Sequence, residues 1–283
     1  MAVVLALVSA LAYGLSDFVG GVVSRRTSAW PVAVVGQLSS TASTAVVAGL
    51  YPGAAQPVDF AWAVLAGLGS GMGTAFLYRG FASGRMSVVA PVSAVGAAVV
   101  PVLVGAVGGE RPSLVVWAGI LLALPGIWLV SSTPEPALEN ARGPRVSVAE
   151  GVVDGILAGT GFGVLFAALG QVPDGAGLWP LAAAQAVSVP AVVALAVVLR
   201  AAWRPRGRTV WLALLAGPLG ATATAAFLLA SQRGYLTVAG VLASLYPAST
   251  VLLAAAVLHE RIHRAQALGL VLCATAVALV AAG

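Results

Sequence analysis

The sequence contains no lysine and has few charged residues of any kind, with Asp, Glu and Arg together making up 8% of its 283 positions. A soluble domain carries about 25% charged residues, so this chain could not cover a surface that faces water. Hydrophobic residues make up 60% of the chain, and the mean hydropathy is +1.02. The sequence therefore predicts an integral membrane protein.

Cysteine and histidine are also scarce, with one Cys and two His in the whole chain. This excludes a disulfide framework and a cysteine-based metal site, and we expect no cofactor. A Gly-rich phosphate loop, a Walker pattern and a nucleophile elbow are all missing from the sequence, so we expect neither ATP coupling nor an enzyme. The basic residues, all Arg, are distributed among the breaks between apolar runs rather than gathered in one patch. They therefore indicate membrane topology rather than nucleic-acid binding.

Apolar runs long enough to cross a bilayer account for most of the chain, since a spanning helix needs about 20 such residues. We count ten of them, at 3–22, 31–50, 61–81, 87–107, 113–132, 150–170, 178–200, 209–230, 236–258 and 264–282. We therefore predict an all-α membrane fold of ten transmembrane helices. Among the polar breaks, only the segment 133–149, rich in proline and charge, is long enough to be a linker.

The chain resembles itself after a shift of 150 residues. Residues 84–130 align without a gap to residues 234–280, and the charged pair that begins at Glu110 recurs at Glu260. A repeated polar break between two apolar runs indicates an internal duplication rather than a compositional accident.

The duplication divides the chain into two five-helix repeats, at 1–132 and 150–283, on either side of the linker. Because five is odd, the second repeat must enter the membrane from the opposite side. Inverted repeats of this kind bind their substrates near the midplane, where the two halves meet. A fused pair can work as a monomer, although a homodimer is also compatible with the sequence.

The Gly-Glu-Arg-Pro turn at 109–112 and the His-Glu-Arg turn at 259–261 each lead into a final span with a central glycine. Together with the ten spans, the two repeats and the prolines of the fourth and ninth spans, these turns resemble the drug/metabolite transporter superfamily, of the EamA type. The resemblance covers nearly the whole chain. It implies a transporter that exports or imports amino acids, metabolites, drugs or nucleotide sugars. We expect a secondary active carrier that works by alternating access in a bacterial plasma membrane and exports a small metabolite, amino acid or drug.

The arginines predict an orientation for the chain. Most of them lie at the breaks after the first, third, fifth, seventh and ninth spans. By the positive-inside rule, both termini would then lie outside the cell. The family resemblance implies cytoplasmic termini instead, so the two orientations remain alternatives.

Asp17 is the most informative single position, because a carboxylate within a span is costly and usually faces the bundle interior or a water-filled path. Tyr13 lies one helical turn before it, on the same face. We predict that Asp17 binds a proton or a cationic substrate, with Tyr13 in the same cavity. The alternative is a structural ion pair with Arg79, which ends the third span on the same side of the membrane. Arg79 is for this reason also a candidate site residue.

Other polar residues within the spans are further candidates for the substrate site. Gln37 and Gln185 occupy near-equivalent positions of the two repeats. Ser93 lies in the fourth span, and Tyr246 and Ser249 lie in the ninth. Each could bind a ligand or could form a hydrogen bond to a neighbouring helix.

Two other classes of function compete with a carrier. The segment His259-Glu260-Arg261-Ile262-His263 fits His-Glu-x-x-His, in which two histidines bind zinc and the glutamate acts as a base, so an intramembrane metalloprotease is one alternative. A non-transporting scaffold or channel is the other. The repeat argues against the protease, because Glu260 has a twin in Glu110. We expect both glutamates to pair with arginine at helix ends and to meet the dipole of the following helix.

Overall fold

The computed structural model describes residues 1–51, 53–83, 86–131, 148–258 and 262–283, and every regular element in these ranges is helical. The elements are α1 (Ala2–Arg26), α2 (Ala29–Leu50), α3 (Pro57–Ala82), α4 (Met86–Val107), α5 (Leu114–Ser131), α6 (Val148–Leu169), α7 (Trp179–Val198), a 3₁₀ helix (Thr209–Leu215), α8 (Ala216–Ser231), α9 (Leu236–Ala243), α10 (Tyr246–Leu258) and α11 (Arg264–Ala282). Within the described ranges they form ten segments long and apolar enough to cross a membrane, which confirms the predicted fold class. The predicted linker lies outside the described residues up to position 147.

The helices extend beyond the predicted apolar runs where polar residues can cap them. Helix α3 begins at Pro57, although the apolar run begins only at position 61. The backbone N–H of Gln56 donates to Oδ2 of Asp59 at 2.7 Å, and the side chain of Gln56 completes a capping box. Proline suits the first helical position because its missing N–H would have no partner there. Capping therefore lengthens α3 by about one turn.

The ninth span is not one continuous helix, contrary to the single run predicted over 236–258. Helix α9 ends at Ala243, and α10 starts at Tyr246. Pro247 stands in the first turn of α10 and has no N–H to donate to the carbonyl of Ala243, four residues earlier. The proline therefore accounts for the break, which lies inside the bundle, where both Ser244 and Leu245 are buried.

The eighth span also departs from a regular α-helix, since its first seven residues form the 3₁₀ helix. Pro218 lies just after this segment and leaves the carbonyl of Leu214 without its usual partner. The hydroxyl of Ser39 donates to that carbonyl at 2.8 Å. A side chain of the first repeat thus completes the hydrogen bonding of a helix of the second repeat.

The two halves pack with a twofold pseudo-symmetry. The helices α1, α2 and α3 correspond to α6, α7 and α8 in the second half. The contact of α1 with α8 accordingly has its equivalent in the contact of α6 with α3, and the contact of α3 with α7 in that of α8 with α2. Three pairs are their own equivalents under this exchange: α2 with α7, α4 with the ninth span, and α5 with α11. The described contacts therefore repeat when the two halves are exchanged, and most of them join one half to the other.

Glycines make the approach of the two halves possible. Gly67 and Gly71 lie against α7, where an added methyl group at Gly71 would be 2.7 Å from the Cβ of Ala191. Gly69 and Gly73 lie against α6 on another face of α3. Two rows of small residues on one helix therefore receive two different helices of the second half, as small residues commonly do in membranes.

Glu110 forms a further contact between the halves. Its two carboxylate oxygens accept hydrogen bonds from the backbone N–H groups of Leu236 at 2.5 Å and Thr237 at 3.0 Å. These donors belong to the first turn of α9, where backbone N–H groups have no partner within the helix. The prediction that Glu110 meets the dipole of the next helix was therefore wrong, because it caps a helix of the other repeat. Glu260 lies outside the described residues.

We expect Glu110→Ala to lower the free energy of unfolding by about 1–2 kcal/mol, because two N–H groups lose their acceptor. Glu110→Gln should cost part of this, since the amide retains one acceptor oxygen. Unfolding in mixed detergent micelles would measure both. Arg111→Ala is the control, because Arg111 is exposed in the same turn. Equal stabilities of Glu110→Ala and Arg111→Ala would contradict the capping role.

Candidate functional site

A cavity lies between the two halves and is walled by α1, α2 and α3 of the first and α6, α7 and α8 of the second. Its water-accessible volume is about 50 Å³, which is room for a few waters. Its lining residues are Tyr13, Ser16, Asp17, Gly36, Gln37, Ser40, Ser70, Thr74, Tyr78, Phe162, Leu165, Gln185, Ala216, Gly220 and Thr224. Five of these fifteen residues are serine or threonine and two are glycine, so small side chains leave much of the space.

The absence of a side chain at Gly220 leaves room in the cavity wall. A methyl group built there would have no neighbour closer than 3.6 Å, the nearest atoms being the hydroxyl oxygens of Ser16 and Ser40. The hydroxyl of Ser16 donates to the carbonyl of Ala216 at 3.1 Å and so ties α1 to α8 beside the cavity. The space is therefore a property of residue size, held open by hydrogen bonds across the halves.

Asp17 contributes the only ionisable carboxyl group to the lining. Among the residues that the structure describes, it has no hydrogen bond and no ion pair. Three tyrosines lie close enough to interact electrostatically with a charged Asp17, namely Tyr13, Tyr78 and Tyr246. Helix α1 ends at Arg26, so Asp17 is roughly 14 Å from the charged end of the helix. A carboxyl group at this depth, facing a cavity, is positioned to meet a proton or a cation.

Gln37 and Gln185 face the cavity from α2 and α7, the two helices that the pseudo-symmetry relates. Gln37 donates from Nε2 to the hydroxyls of Ser70 at 3.1 Å and Thr74 at 3.0 Å. Gln185 donates from Nε2 to the hydroxyls of Ser40 at 2.7 Å and Thr224 at 3.3 Å. The two glutamines thus make the same kind of contact on opposite walls.

Aromatic rings hold Tyr13 in position. Its ring meets that of Phe166 edge-on, with centroids 5.6 Å apart, and lies 6.4 Å from that of Tyr246. Phe166 in turn stacks on Phe227 at 4.4 Å. The Tyr13 hydroxyl is buried and has no hydrogen-bond partner among the described residues. A buried hydroxyl of this kind is available to a ligand or to water.

Four of the eight predicted site residues do not line the cavity, namely Arg79, Ser93, Tyr246 and Ser249. The Oγ of Ser93 lies 3.1 Å from the phenolic oxygen of Tyr246, so these two bond to each other across α4 and α10. Ser249 packs against α1, where a methyl group at Gly14 would be 2.7 Å from its Cβ. Tyr246 still supports the site indirectly through its ring contact with Tyr13. The other four residues, Tyr13, Asp17, Gln37 and Gln185, come together around the cavity.

Arg79 does not pair with Asp17, which was the structural alternative for that carboxylate. Its guanidinium instead binds Asp154 of α6, with Nε 2.9 Å from Oδ1, and stacks on the ring of Phe76 at 4.6 Å. The Asp154 side chain is fully buried, whereas that of Arg79 is 35% exposed. A buried carboxylate requires a close cation, and α6 brings Asp154 closer to Arg79 than α1 brings Asp17.

The Arg79–Asp154 pair should be measurable as a coupling energy. In a double-mutant cycle of Arg79→Met and Asp154→Asn, we expect an interaction of about 1–3 kcal/mol, smaller than for a fully buried pair because Arg79 is partly exposed. The cycle is read from unfolding in mixed micelles. A coupling indistinguishable from zero would mean that the two groups do not stabilise each other.

Several lining residues escaped the sequence analysis, notably Ser40, Ser70, Thr74, Tyr78, Phe162 and Thr224. The sequence spacing could have predicted three of these residues as members of one helix face. Ser70, Thr74 and Tyr78 are spaced by four residues and therefore lie on one face of α3. That face lies between the glycine rows.

The zinc motif lies partly outside the described residues, which exclude His259 and Glu260. His263 is described, and its side chain and that of Gln266 form a capping box at the start of α11. In the described part of the chain, no group of three His, Cys, Asp or Glu residues could hold a metal ion. Asp154, a buried carboxylate of α6, is bound to Arg79.

Comparison with known proteins gives a family match over part of the chain and a fold match over nearly all of it. The model of the EamA-like transporter family matches residues 150–282. Sixteen chains of solved structures match, among them one crystal structure with a TM-score of 0.66 that covers 96% of this chain and 98% of its own at 18% identity. At this identity the likeness concerns the fold alone. No match was found among curated proteins.

Proposed function

We propose that this protein is a membrane transporter of the drug/metabolite type, since residues 150–282 match the model of the EamA-like transporter family. It is a secondary active carrier that exports a small metabolite, amino acid or drug across a bacterial plasma membrane. The cavity between the halves is its substrate site. Transport proceeds by alternating access and is coupled to protons through Asp17.

The observation that carries this proposal is Asp17 itself. Its carboxyl group faces a cavity between the halves and has no ion pair or hydrogen bond among the described residues. A carboxylate kept for packing should have a partner, and the nearest candidate, Arg79, is bound to Asp154. The cost of an unpaired carboxyl group within a span therefore favours a role in binding a proton or a cation.

The size of the cavity supports alternating access over a continuous pore. With room for a few waters, it cannot accept a metabolite unless helices move apart. The pseudo-symmetric packing offers two related ways of opening, one toward each side of the membrane. The closest contacts between the halves are made by glycine rows and by isolated hydrogen bonds. Such contacts can break and form again when one half rotates against the other as a rigid body.

Proton coupling at Asp17 depends on the groups that face it. The titratable neighbours with which it interacts are Tyr13 on its own helix, Tyr78 on α3 and Tyr246 on α10. No arginine lines the cavity in the described part of the chain. A proton is therefore the simplest counter-charge for this carboxyl group when no substrate is bound.

The test is transport by the purified protein in liposomes. Under an imposed pH gradient, a panel of amino acids, amines and drugs should include a compound with saturable flux that an ionophore abolishes. Non-saturable flux would identify a channel. Absence of flux for the whole panel, from protein shown to be folded and inserted, would count against a carrier. Stoichiometric zinc that is lost in His259→Ala would support the protease instead.

A further inference from the structure

The side-chain amide of Gln185 can present either its N–H donors or its carbonyl acceptor to the cavity. Its hydrogen bonds to neighbouring hydroxyls determine which of the two remains available. The hydroxyl of Thr224 donates to the carbonyl of Gly220 at 2.9 Å, so its oxygen can only accept from Gln185. Gln185 must therefore turn Nε2 toward Thr224. Its carbonyl oxygen then has no partner among the described residues, although the side chain is only 2% exposed.

Gln37 repeats this arrangement on the opposite wall. Its amide nitrogen has two hydrogens, and Ser70 and Thr74 accept them both. What Gln37 can still offer a ligand is an acceptor oxygen. In both glutamines, the neighbouring hydroxyls thus use the donors and leave the carbonyl groups for the cavity.

The remaining lining groups do not reverse this polarity. Asp17 is the only charged residue among the lining residues, and it is an acceptor when ionised. The hydroxyls of serine, threonine and tyrosine can turn to donate or accept, so they do not select a sign. The cavity groups whose polarity is set in advance, the carboxylate of Asp17 and the carbonyl of Gln185, are therefore acceptors.

Aromatic side chains extend the same preference. Tyr13, Tyr78 and Phe162 line the cavity beside Asp17. The face of an aromatic ring attracts a cation, most strongly where water is excluded. An anionic ligand would meet a carboxylate and the carbonyl oxygen of Gln185, with no cation among the described lining residues to balance it.

We infer that the carrier site recognises a primary ammonium group, whose N–H donors reach the carbonyl oxygen of Gln185 and the carboxylate of Asp17. This rests on the proposed function, because it assigns a substrate class to the same cavity. A quaternary ammonium group carries the same charge but has no N–H to donate. A neutral alcohol offers one donor and no charge. The three chemistries are therefore separable.

Three related probes test the inference on the purified full-length protein: 2-phenylethylammonium, its N,N,N-trimethyl derivative and 2-phenylethanol. Calorimetric titration should show the primary ammonium binding at least about tenfold more tightly than the trimethyl compound, which leaves the buried carbonyl of Gln185 unpaired. The alcohol should bind more weakly still. Equal or reversed affinities of the two cations would overturn the inference.

The variant Gln185→Met identifies the acceptor. It should reduce the preference for the primary over the trimethyl ammonium to about onefold, because Asp17 attracts both cations and the acceptor that distinguishes them is gone. Gln171→Met is the matched control, since Gln171 is exposed at the end of α6 and donates only to the carbonyl of Ala167. A preference that survives in Gln185→Met would overturn the assignment of this oxygen.

These outcomes are distinct from failure of the proposed function. If the protein transports a neutral or anionic compound with saturable kinetics but none of the ammonium probes binds, the carrier stands and the inference falls. If the primary ammonium binds selectively but no compound is transported, the inference stands and the carrier falls. Should the Gln185 variant fail to fold, the ranking of the three probes on the unaltered protein still decides.

Discussion

Exchange of Asp17 for asparagine is expected to abolish transport driven by a pH gradient. Asparagine retains the size of the side chain and one acceptor oxygen but can neither release a proton nor carry a charge. Accumulation in liposomes should fall by at least about tenfold, since the lost charge is worth more than 1.4 kcal/mol to a cation or proton. The dependence of the remaining flux on pH should disappear as well.

Asp174→Asn is the matched control for this experiment. Asp174 is exposed in the loop between α6 and α7 and does not line the cavity, so the same chemical change there should leave transport intact. Thermal unfolding of both variants separates loss of function from loss of fold. Full pH-driven accumulation by Asp17→Asn would remove the proton site from the proposal and leave Asp17 without an assigned role.

Exchange of Gly161 for alanine is expected to separate the two halves. The added methyl group would lie 2.5 Å from the backbone nitrogen of Gly73 and 2.7 Å from the carbonyl oxygen of Gly69. Because both neighbours are backbone atoms of α3, no rotamer change can relieve the clash, and the helices themselves must move. We expect a loss of about 3 kcal/mol or more, seen as a fall in Tm of roughly 10 °C.

Gly49→Ala provides the control for Gly161→Ala. Gly49 lies in α2, and a methyl group there would have no atom within 4 Å. Alanine favours a helix over glycine by about 1 kcal/mol, so this variant should be neutral or slightly more stable. Equal Tm values for the two variants would show that α3 and α6 do not approach as closely as described. Because α3 and α6 also line the cavity, transport should fall with Tm in Gly161→Ala alone.

Part of the candidate site was predictable because helix periodicity and repetition are properties of the chain itself. Tyr13 and Asp17 are four residues apart, so any helix through them presents both on one face. Gln37 and Gln185 occupy near-equivalent places in the two predicted repeats, so an inverted pair would bring them to opposite walls. These four residues do meet around the cavity.

The choice of partners was not predictable in the same way. Arg79 ends a span on the same membrane side as Asp17, and sequence reasoning could offer only that proximity. Its partner is Asp154, 75 residues later, because α3 packs against α6 through their glycines. Ser93 and Tyr246 likewise bond to each other rather than to the cavity, since the packing of α4 on the ninth span turns them together.

The sequence alone determined that this is a ten-span membrane protein built from two similar halves. In lipid, each span must be apolar and must satisfy its own backbone hydrogen bonds, so composition along the chain is enough to count the spans. Only the tertiary structure decided which polar groups remain available. Among the described residues, the carbonyl of Gln185 has no partner because Thr224 has already donated to Gly220, and Asp17 is unpaired because Arg79 binds elsewhere. Which partner a polar group binds depends on the other groups that lie near it in the folded protein. The order of residues along the chain does not specify those neighbours.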